Sequence, residues 1–371
     1  MREILINANV ITDAKIFHGM DIVTENGKIT DVLAYDGTRE GRDYSDSYVA
    51  PGFIDIHCHG GDNCEFSFGD EDSTKRAAQI HFDHGTRVLY PTLSANSFDN
   101  YYRILEVMEK VAPELPVEIP GVHLEGPFLN PEMCGAQNRE YIFAPRKDKY
   151  EPLVERFGKL IKRWSYAPEF DKKGEFLEFL LRHNIVPAIA HSAAEYGDVL
   201  AAYGSGNRLV THLYSCTSTI TRHSGFRRLG IIETAYLLDD MFVEAIGDGR
   251  HLPPELLRLI VKQKGKERVV LVTDAIAPAG HFEDGTRGFS GGIEYVVEDG
   301  VAKLADKSAF AGSIATTDVL MKRSVQAGIP LEDVVYMLTQ SPAQAMGLTN
   351  KGRIAPGYDA QFTIFKMSEV D

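Results

Sequence analysis

Short apolar runs alternate along most of the chain with longer amphipathic segments. Helix-length segments, with apolar residues three to four positions apart, occur for example at residues 73–85 and 98–112. Alternating strands and helices indicate parallel strands joined by crossover helices, and eight such units predict a closed (β/α)8, TIM-like barrel of the α/β class. The eight apolar runs lie at residues 53–59, 86–93, 118–126, 159–167, 185–192, 207–214, 241–249 and 267–275.

Both ends of the chain follow a different pattern. Strand-like alternation at residues 4–11 and 19–35 surrounds Asn26-Gly27, a pair typical of a tight hairpin turn. Alternation returns at residues 351–366, and a hairpin-like insertion at 291–305 follows the eighth run. We therefore expect two domains. Residues 1–50 and 348–371 form a small discontinuous β domain, and residues 51–347 form the barrel.

Composition and charge narrow the class of protein. The chain has 371 residues, is 44% hydrophobic and carries a net charge of −14, which argues against non-specific nucleic-acid binding. Its four cysteines form no CxxC pair, which favours a reducing compartment. The start lacks the features of a secretory signal, and no apolar run reaches the ~18 residues of a membrane span. We expect a cytoplasmic protein with no membrane or nucleic-acid partner.

The first apolar run ends in two histidines, His57 and His59, which share one face of a strand because successive side chains alternate. Alone, this pair is explained equally well by a metal site and by chance or two hydrogen-bonded surface histidines. Barrel active sites lie at the carboxyl ends of the strands, and metal-capable residues end further runs there. The set at strand ends is His57, His59, Glu125, His191, His212 and Asp274.

Imidazoles with a carboxylate suit zinc, iron or another borderline divalent ion. A bound ion lowers the pKa of its water to ~7, so hydroxide becomes available at neutral pH. Asp274 is the predicted general acid/base, and Glu125 is placed to bridge two ions. His251, on the loop after the seventh run, is expected to contact substrate. His81, His84 and His183 are expected at the surface or at helix ends. His123 faces the same way as Glu125, so it is a candidate to contact and orient the metal ligands.

Six motifs in order carry a resemblance to a known family: PGFID followed by HxH, HLEGPFLNP, AHS, THLY, DGxH and VTDAIAPAG. Together they resemble the N-acetylglucosamine-6-phosphate deacetylases of the amidohydrolase superfamily. The resemblance implies a (β/α)8 barrel with a small β-sandwich from both termini, and a homodimer. It implies that Glu125, His191 and His212 bind one ion and that Asp274 is the acid/base. Because the HxH pair is kept, we expect one or two divalent ions, zinc or iron.

The resemblance also implies substrate contacts, and three places depart from the family. The family usually has His at Gln137, Asn-Ala at Ser215-Cys216, and Arg at His223, where that arginine is thought to reach the phosphate from the partner subunit. The implied contacts are Ala136, Gln137, Ser215, Cys216, His223, Asp248, Arg250, His251, Phe310, Ala311 and Gly312.

An acidic protein needs a local positive patch for an anionic sugar. The hypothesis is that Arg222 or His223 forms it with Arg250 and His251. The alternative is that Arg222, Arg227 and Arg228 form a solvated loop face.

The expected activity is deacetylation of N-acetylglucosamine 6-phosphate to glucosamine 6-phosphate and acetate. Alternatives are a deacetylase of a related N-acyl amino sugar, such as N-acetylgalactosamine 6-phosphate or an unphosphorylated sugar, and a cyclic-amide hydrolase of the dihydroorotase type. The latter commonly uses a modified lysine at the end of the fourth strand, near which Ser165 stands here. A non-catalytic relative is disfavoured, because a scaffold needs none of these ligands.

Overall fold

The computed structural model describes residues 1–281 and 283–370, and a barrel of eight parallel strands forms its centre. The strands hydrogen-bond in chain order, and each overlaps the corresponding predicted run. The first and last approach each other through a bridge between Cys58 and Ala275 and a 2.9 Å bond from the Asp274 N–H to the His57 carbonyl. The TIM-like barrel is thus confirmed. Its strands are Phe53–Cys58, Thr86–Ser94, Val122–Glu125, Ile161–Tyr166, Val186–Ile189, Leu209–Val210, Phe242–Ile246 and Val269–Val272.

Amphipathic helices pack around the barrel. The helix Phe98–Val111 begins where Ser97 accepts the N–H of Asn100, and its buried face continues the apolar cluster of the strands. The α-helices are Glu71–Asp83, Phe98–Val111, Lys147–Phe157, Glu175–Arg182, Tyr196–Gly204, Ile231–Leu237, Pro254–Lys264, Thr317–Gln326 and Leu331–Ala345. Short 3₁₀ turns are Phe66–Phe68, Ala112–Glu114, Pro131–Met133, Arg139–Tyr141, Pro168–Phe170 and Met367–Glu369. Within the described ranges, none of these helices has the length and apolarity that a membrane crossing requires.

The two chain ends share one six-stranded sheet. Asn26 and Gly27 have φ of 50° and 77°, the left-handed pair that a tight hairpin needs, as the sequence predicts. Phe362–Phe365 pairs antiparallel with Tyr48–Pro51, which joins the end of the chain to the entrance of the barrel. The predicted small domain ended at Asp371, which lies outside the described residues. The strands are Arg2–Thr12, Lys15–Glu25, Lys28–Ala34, Arg42–Asp43, Tyr48–Pro51 and Phe362–Phe365.

Three small antiparallel units follow barrel strands one, six and eight. Gly60–Gly61 pairs with Cys64–Glu65, and Thr221–His223 pairs with Phe226–Arg228. The insertion after strand eight is a four-stranded sheet, larger than the hairpin predicted at 291–305. Its strands are Arg287–Ser290, Ile293–Glu298, Val301–Leu304 and Phe310–Gly312. All three units extend from the carboxyl ends of the strands, where the candidate site lies.

Candidate active site and metal centre

A cavity of about 280 Å³ opens at the carboxyl ends of the barrel strands. His57 lies beneath its floor with no exposed surface. The other strand-end residues reach the cavity, together with most of the substrate contacts that the sequence predicts. The predicted residues that line it are His59, Glu125, Ala136, Gln137, His191, His212, Ser215, Cys216, His251, Asp274, Phe310, Ala311 and Gly312.

Three strand-end residues have an unusual backbone. His191, His212 and Asp274 have φ of 42°, 25° and 48°, in or near the left-handed region that side-chain-bearing residues rarely adopt. Each lies two residues past the last residue of a barrel strand, and each side chain lines the cavity. Strained conformations of this kind cluster at functional sites because the surrounding fold holds them.

Glu125, His191 and His212 form one candidate ion site. Oε1 of Glu125 lies 2.9 Å from Nε2 of His212 and 3.1 Å from Nε2 of His191. Nδ1 of His191 lies 2.9 Å from the Met133 carbonyl, an acceptor that holds a proton on Nδ1 and leaves Nε2 free to ligate. The three ligand atoms lie within 4.8 Å of one another. This donor set fits a divalent ion.

His57, His59 and Glu125 form a second candidate ion site. The two Nε2 atoms are 3.3 Å apart, and Oε2 of Glu125 lies 3.2 Å from that of His59. Oδ1 of Asp274 lies 3.4 Å from each of these nitrogens. Glu125 therefore belongs to both groups, as the predicted bridge between two ions requires.

Negative charge dominates this buried site. Burial disfavours the charged form of His57, but the carboxylates of Glu125, Asp274 and Glu244 outweigh burial and raise its pKa to about 10. The pKa of His59 is raised to about 9 because bonds to Asp274 and Glu125 outweigh burial. Burial raises the pKa of Asp274, but His57 and His59 outweigh it and lower that pKa to about 2. The carboxylates therefore favour positive charge in the site. Protons on the histidines supply that charge, and a divalent cation would supply it equally well.

His251 is held by the loop that follows strand seven. Its Nδ1 lies 2.7 Å from Oδ2 of Asp248, whose Oδ1 accepts the backbone N–H groups of Arg250 and His251 across 2.8 and 2.9 Å. Burial opposes the charge on His251, but the bond to Asp248 outweighs it and raises the pKa. Asp248 therefore supports His251 from behind, while His251 faces the cavity.

Of the four residues predicted for the positive patch, Arg222, His223 and Arg250 are not among those that line the cavity of their own chain. Arg222 and His223 lie on the exposed ribbon Thr221–Arg228, and Phe226 at its turn is 78% exposed. The guanidinium of Arg250 lies against Gly300 of the insertion. Of these predicted cationic residues, His251 lines the cavity of its own chain.

Three buried polar side chains, those of His123, Arg163 and Glu244, lie beneath the candidate metal ligands. His123 places Nδ1 3.1 Å from the Thr92 hydroxyl and Nε2 2.7 Å from that of Ser165, and its ring meets that of His57 edge-on at 4.8 Å. The other two, Arg163 and Glu244, form a buried ion pair that sequence reasoning missed. The sequence did contain an indication of this pair, because Arg163 and Glu244 are charged residues inside the apolar runs of strands four and seven.

His81 lies in the last turn of the helix Glu71–Asp83, as one of the two predicted alternatives has it, but the other alternative, a place at the surface, is wrong. His81 is fully buried, because the helix Glu71–Asp83 turns this face onto the first barrel strand. Its Nε2 lies 2.9 Å from the Gly60 carbonyl and 3.0 Å from the Cys58 sulfur. Burial lowers the pKa of His81 to about 4, so the ring is neutral.

A TIM-like barrel with histidines ending strands one, five and six, a glutamate ending strand three and an aspartate after strand eight defines a metal-dependent amidohydrolase. The family model described as the amidohydrolase family matches residues 48–370. The chain is 30% identical over 380 residues to the N-acetylglucosamine-6-phosphate deacetylase of Homo sapiens, covering 96% of this chain and 90% of that protein. The chain belongs to the amidohydrolase family and, within it, to the N-acetylglucosamine-6-phosphate deacetylases.

Other relatives agree. The chain is 28% identical over 366 residues to the N-acetylglucosamine-6-phosphate deacetylase of Lysinibacillus sphaericus, covering 97% of this chain and 93% of that protein. Among solved structures, a mutant of the Mycobacterium smegmatis deacetylase in complex with N-acetyl-D-glucosamine-6-phosphate superposes with a TM-score of 0.91. That match is 27% identical and covers 99% of this chain and 96% of that one.

Proposed function

We propose that this protein is a metal-dependent hydrolase that deacetylates N-acetylglucosamine 6-phosphate, giving glucosamine 6-phosphate and acetate. The observation that carries the proposal is that Asp274 lies within 3.4 Å of two candidate ligands in a cavity that Glu125, His191 and His212 also line. The relatives that match nearly the whole chain are named for this activity.

Glu125, His191 and His212 would hold one divalent ion, and His57 and His59 with Glu125 would hold a second. Zinc and iron are the ions that this donor set suits best. A bound ion would supply Lewis-acid chemistry, polarising the acetamide carbonyl and lowering the pKa of water at the site.

Two residues of the chain carry the proton and charge changes. Asp274 accepts a proton from the attacking water and returns it to the amide nitrogen, so the C–N bond breaks and the amine leaves neutral. The new C–O bond keeps the water oxygen in acetate. His251, whose pKa Asp248 raises, donates from Nε2 to the carbonyl oxygen as negative charge develops there.

We also propose that the protein acts as a homodimer. The ribbon Thr221–Arg228 extends from the carboxyl end of the barrel with every strand residue exposed, a geometry that suits reaching a second copy. In that arrangement Arg222 or His223 would meet the sugar phosphate in the partner's cavity. Arg250 and Asp248 would act from the loop that carries His251, and Ser215, Cys216, Phe310, Ala311 and Gly312 would contact the sugar.

The finer domain organisation is likewise a proposal. Residues 1–50 and 348–371 would form a small β-sandwich domain beside a barrel of residues 51–347. Apolar side chains packed together on the terminal sheet, among them Leu5, Val10, Ile22 and Val49, support a separate small core. We propose a cytoplasmic location, in keeping with four cysteines, none of them in a disulfide in the described part of the chain.

The test is acetate release from a panel of N-acetylhexosamines, each with and without a 6-phosphate, by protein whose bound metal has been assayed. We expect the highest kcat/KM for N-acetylglucosamine 6-phosphate. The departures at Gln137, Ser215, Cys216 and His223 favour a related N-acyl amino sugar as the second candidate. Preference for N-acetylgalactosamine 6-phosphate or for an unphosphorylated sugar would establish that candidate, and turnover of a cyclic amide alone would reject both.

A further inference from the structure

A buried ion pair lies beneath the candidate metal centre. Glu244 on Phe242–Ile246 and Arg163 on Ile161–Tyr166 have no exposed surface and pair directly with each other. Arg163 also donates to the Ile56 carbonyl across 2.8 Å and to the Thr211 hydroxyl across 2.9 Å. A buried ion pair stabilises a fold little better than an apolar pair of similar volume, so stability alone does not explain it.

The carboxylate of Glu244 contacts one ligand from each candidate ion site. Its Oε2 lies 3.1 Å from Nδ1 of His57 and accepts the backbone N–H of His212, also across 3.1 Å. Its Oε1 faces Arg163. His212 has a φ of 25°, so this bond also helps to hold an unfavourable backbone conformation.

The contact at Nδ1 determines which nitrogen of His57 is free. Nε2 faces His59 and Asp274, so it ligates an ion only when the ring proton is on Nδ1. An ionised carboxylate accepts hydrogen bonds and donates none, and the fixed charge of Arg163 keeps Glu244 ionised away from water. The corresponding neighbour of His59 is the Ser94 hydroxyl at 3.1 Å, which either donates or accepts and therefore imposes no tautomer.

We propose that Glu244, held by Arg163, is a positioning residue that fixes His57 in its Nδ1-protonated form and thereby determines whether the His57–His59 half of the centre holds an ion. The inference rests on the proposed function in that it takes His57 to be a metal ligand. Glu244 is separated from the cavity by His57, so it acts through that ligand rather than on the substrate.

Glu244→Gln tests the proposal with almost no change of shape. The amide oxygen turns to Arg163, so the NH2 group faces Nδ1 of His57 and favours the tautomer that cannot ligate through Nε2. The backbone N–H of His212 loses its acceptor in the same variant, which Glu244→Asp would restore in part. After reconstitution with zinc, we expect the count to fall from about two ions per chain to about one, with an about 10- to 100-fold weaker affinity for the second ion. Glu244→Asp keeps a carboxylate and should recover part of that affinity.

The matched control is Glu118→Gln, which changes a glutamate near the amino-terminal ends of the strands, where it pairs with Lys351 at 2.6 Å. It should keep the wild-type zinc count and the wild-type visible spectrum after loading with cobalt. Glu244→Gln should lose the part of the cobalt spectrum that belongs to the second ion. These readouts need no substrate.

Glu244→Gln leaves the charge of Arg163 unpaired, which could prevent folding. The double variant Arg163→Met, Glu244→Leu removes both charges and leaves Nδ1 of His57 without an acceptor, so it is expected to fold and to bind about one zinc. An unchanged zinc count and affinity in a folded Glu244→Gln or double variant would overturn the proposal, as would a wild type that binds a single ion with the same affinity as Glu244→Gln. A wild type that binds two ions but releases no acetate would reject the proposed function and leave this inference standing.

Discussion

The side-chain amide of Gln137 connects Glu125 to the strand-two loop. Its Nε2 donates to Oε2 of Glu125 across 2.6 Å, and its Oε1 accepts the Ala95 N–H across 2.7 Å. Glu125 is the carboxylate shared by both candidate ion sites. Gln137 therefore bears on metal binding as well as on the sugar contact that the sequence predicts for it.

Gln137→Ala removes the bond that orients Glu125, so we expect an about tenfold or greater loss of ion affinity together with a lower kcat. Titration of the metal-free variant with zinc, followed by acetate release at saturating zinc, separates the two effects. Gln137→Glu places a like charge beside Glu125 and should perturb zinc affinity differently from Ala. If Gln137→Ala binds zinc as the wild type does and only KM for the sugar rises, the side chain acts on substrate alone.

Asp274→Asn keeps the shape of the side chain but cannot accept and return a proton. We expect the variant to keep its fold and its metal count and to lose about 10²–10⁴-fold in kcat. Metal analysis and acetate release on the same preparation provide the comparison. A fully active Asp274→Asn enzyme would contradict the assignment of the acid/base.

The double variant His57→Gln, His59→Asn tests whether the pair on strand one is a ligand pair. Glu125, His191 and His212 remain, so we expect about one ion per chain rather than two. Elemental analysis of dialysed protein measures the count. An unchanged count would show that the pair ligates no ion.

The pH dependence of stability follows from the histidine charges. In metal-free protein the pKa of His57 is raised from 6.5 to about 10, so its contribution to stability is fully present below pH 6.5 and is lost as pH rises to about 10. We expect the melting temperature of chelator-treated protein to fall across this window. Metal-loaded protein should fall less, because the ion replaces the protons as the positive charge. A melting temperature that rises from neutral to alkaline pH without metal would contradict this prediction.

Arg222 tests the proposed phosphate contact. Arg222→Ala should lower kcat/KM for the 6-phosphate about 10- to 100-fold, the effect of removing a charge-assisted hydrogen bond, and leave the unphosphorylated sugar unaffected. Arg228→Ala is the matched control, because Arg228 lies on the same ribbon and pairs with Glu195 across 2.8 Å. An equal loss of kcat/KM for both sugars would indicate a structural effect. No loss for either sugar would show that Arg222 makes no phosphate contact and belongs to a solvated loop face.

Much of the barrel and the set of strand-end residues were predictable from the sequence. Hydrophobic periodicity is local, so each of the eight strands overlaps its predicted run. The rule that barrel sites form at carboxyl ends then groups residues as distant in sequence as His57 and Asp274, whose side-chain atoms Nε2 and Oδ1 lie 3.4 Å apart.

Contacts that depend on which side chains meet were not predictable. The pairing of Arg163 with Glu244 depends on the relative register of strands that are not neighbours in the sheet. His81 lies on a helix whose pattern alone does not reveal that this face meets Cys58. The sequence predicted a hairpin in the insertion, but pairing with Arg287–Ser290 and Phe310–Gly312 extends it to four strands.

Because Phe362–Phe365 pairs with Tyr48–Pro51, the terminal sheet needs strands from both the first and the last part of the chain. During synthesis the terminal sheet stays one strand short until the whole barrel has left the ribosome. A product cut anywhere between these strands would leave the main-chain groups of Tyr48–Pro51 without that partner, an open edge that invites aggregation. The terminal sheet therefore gains its last strand only in a chain that also contains the whole barrel.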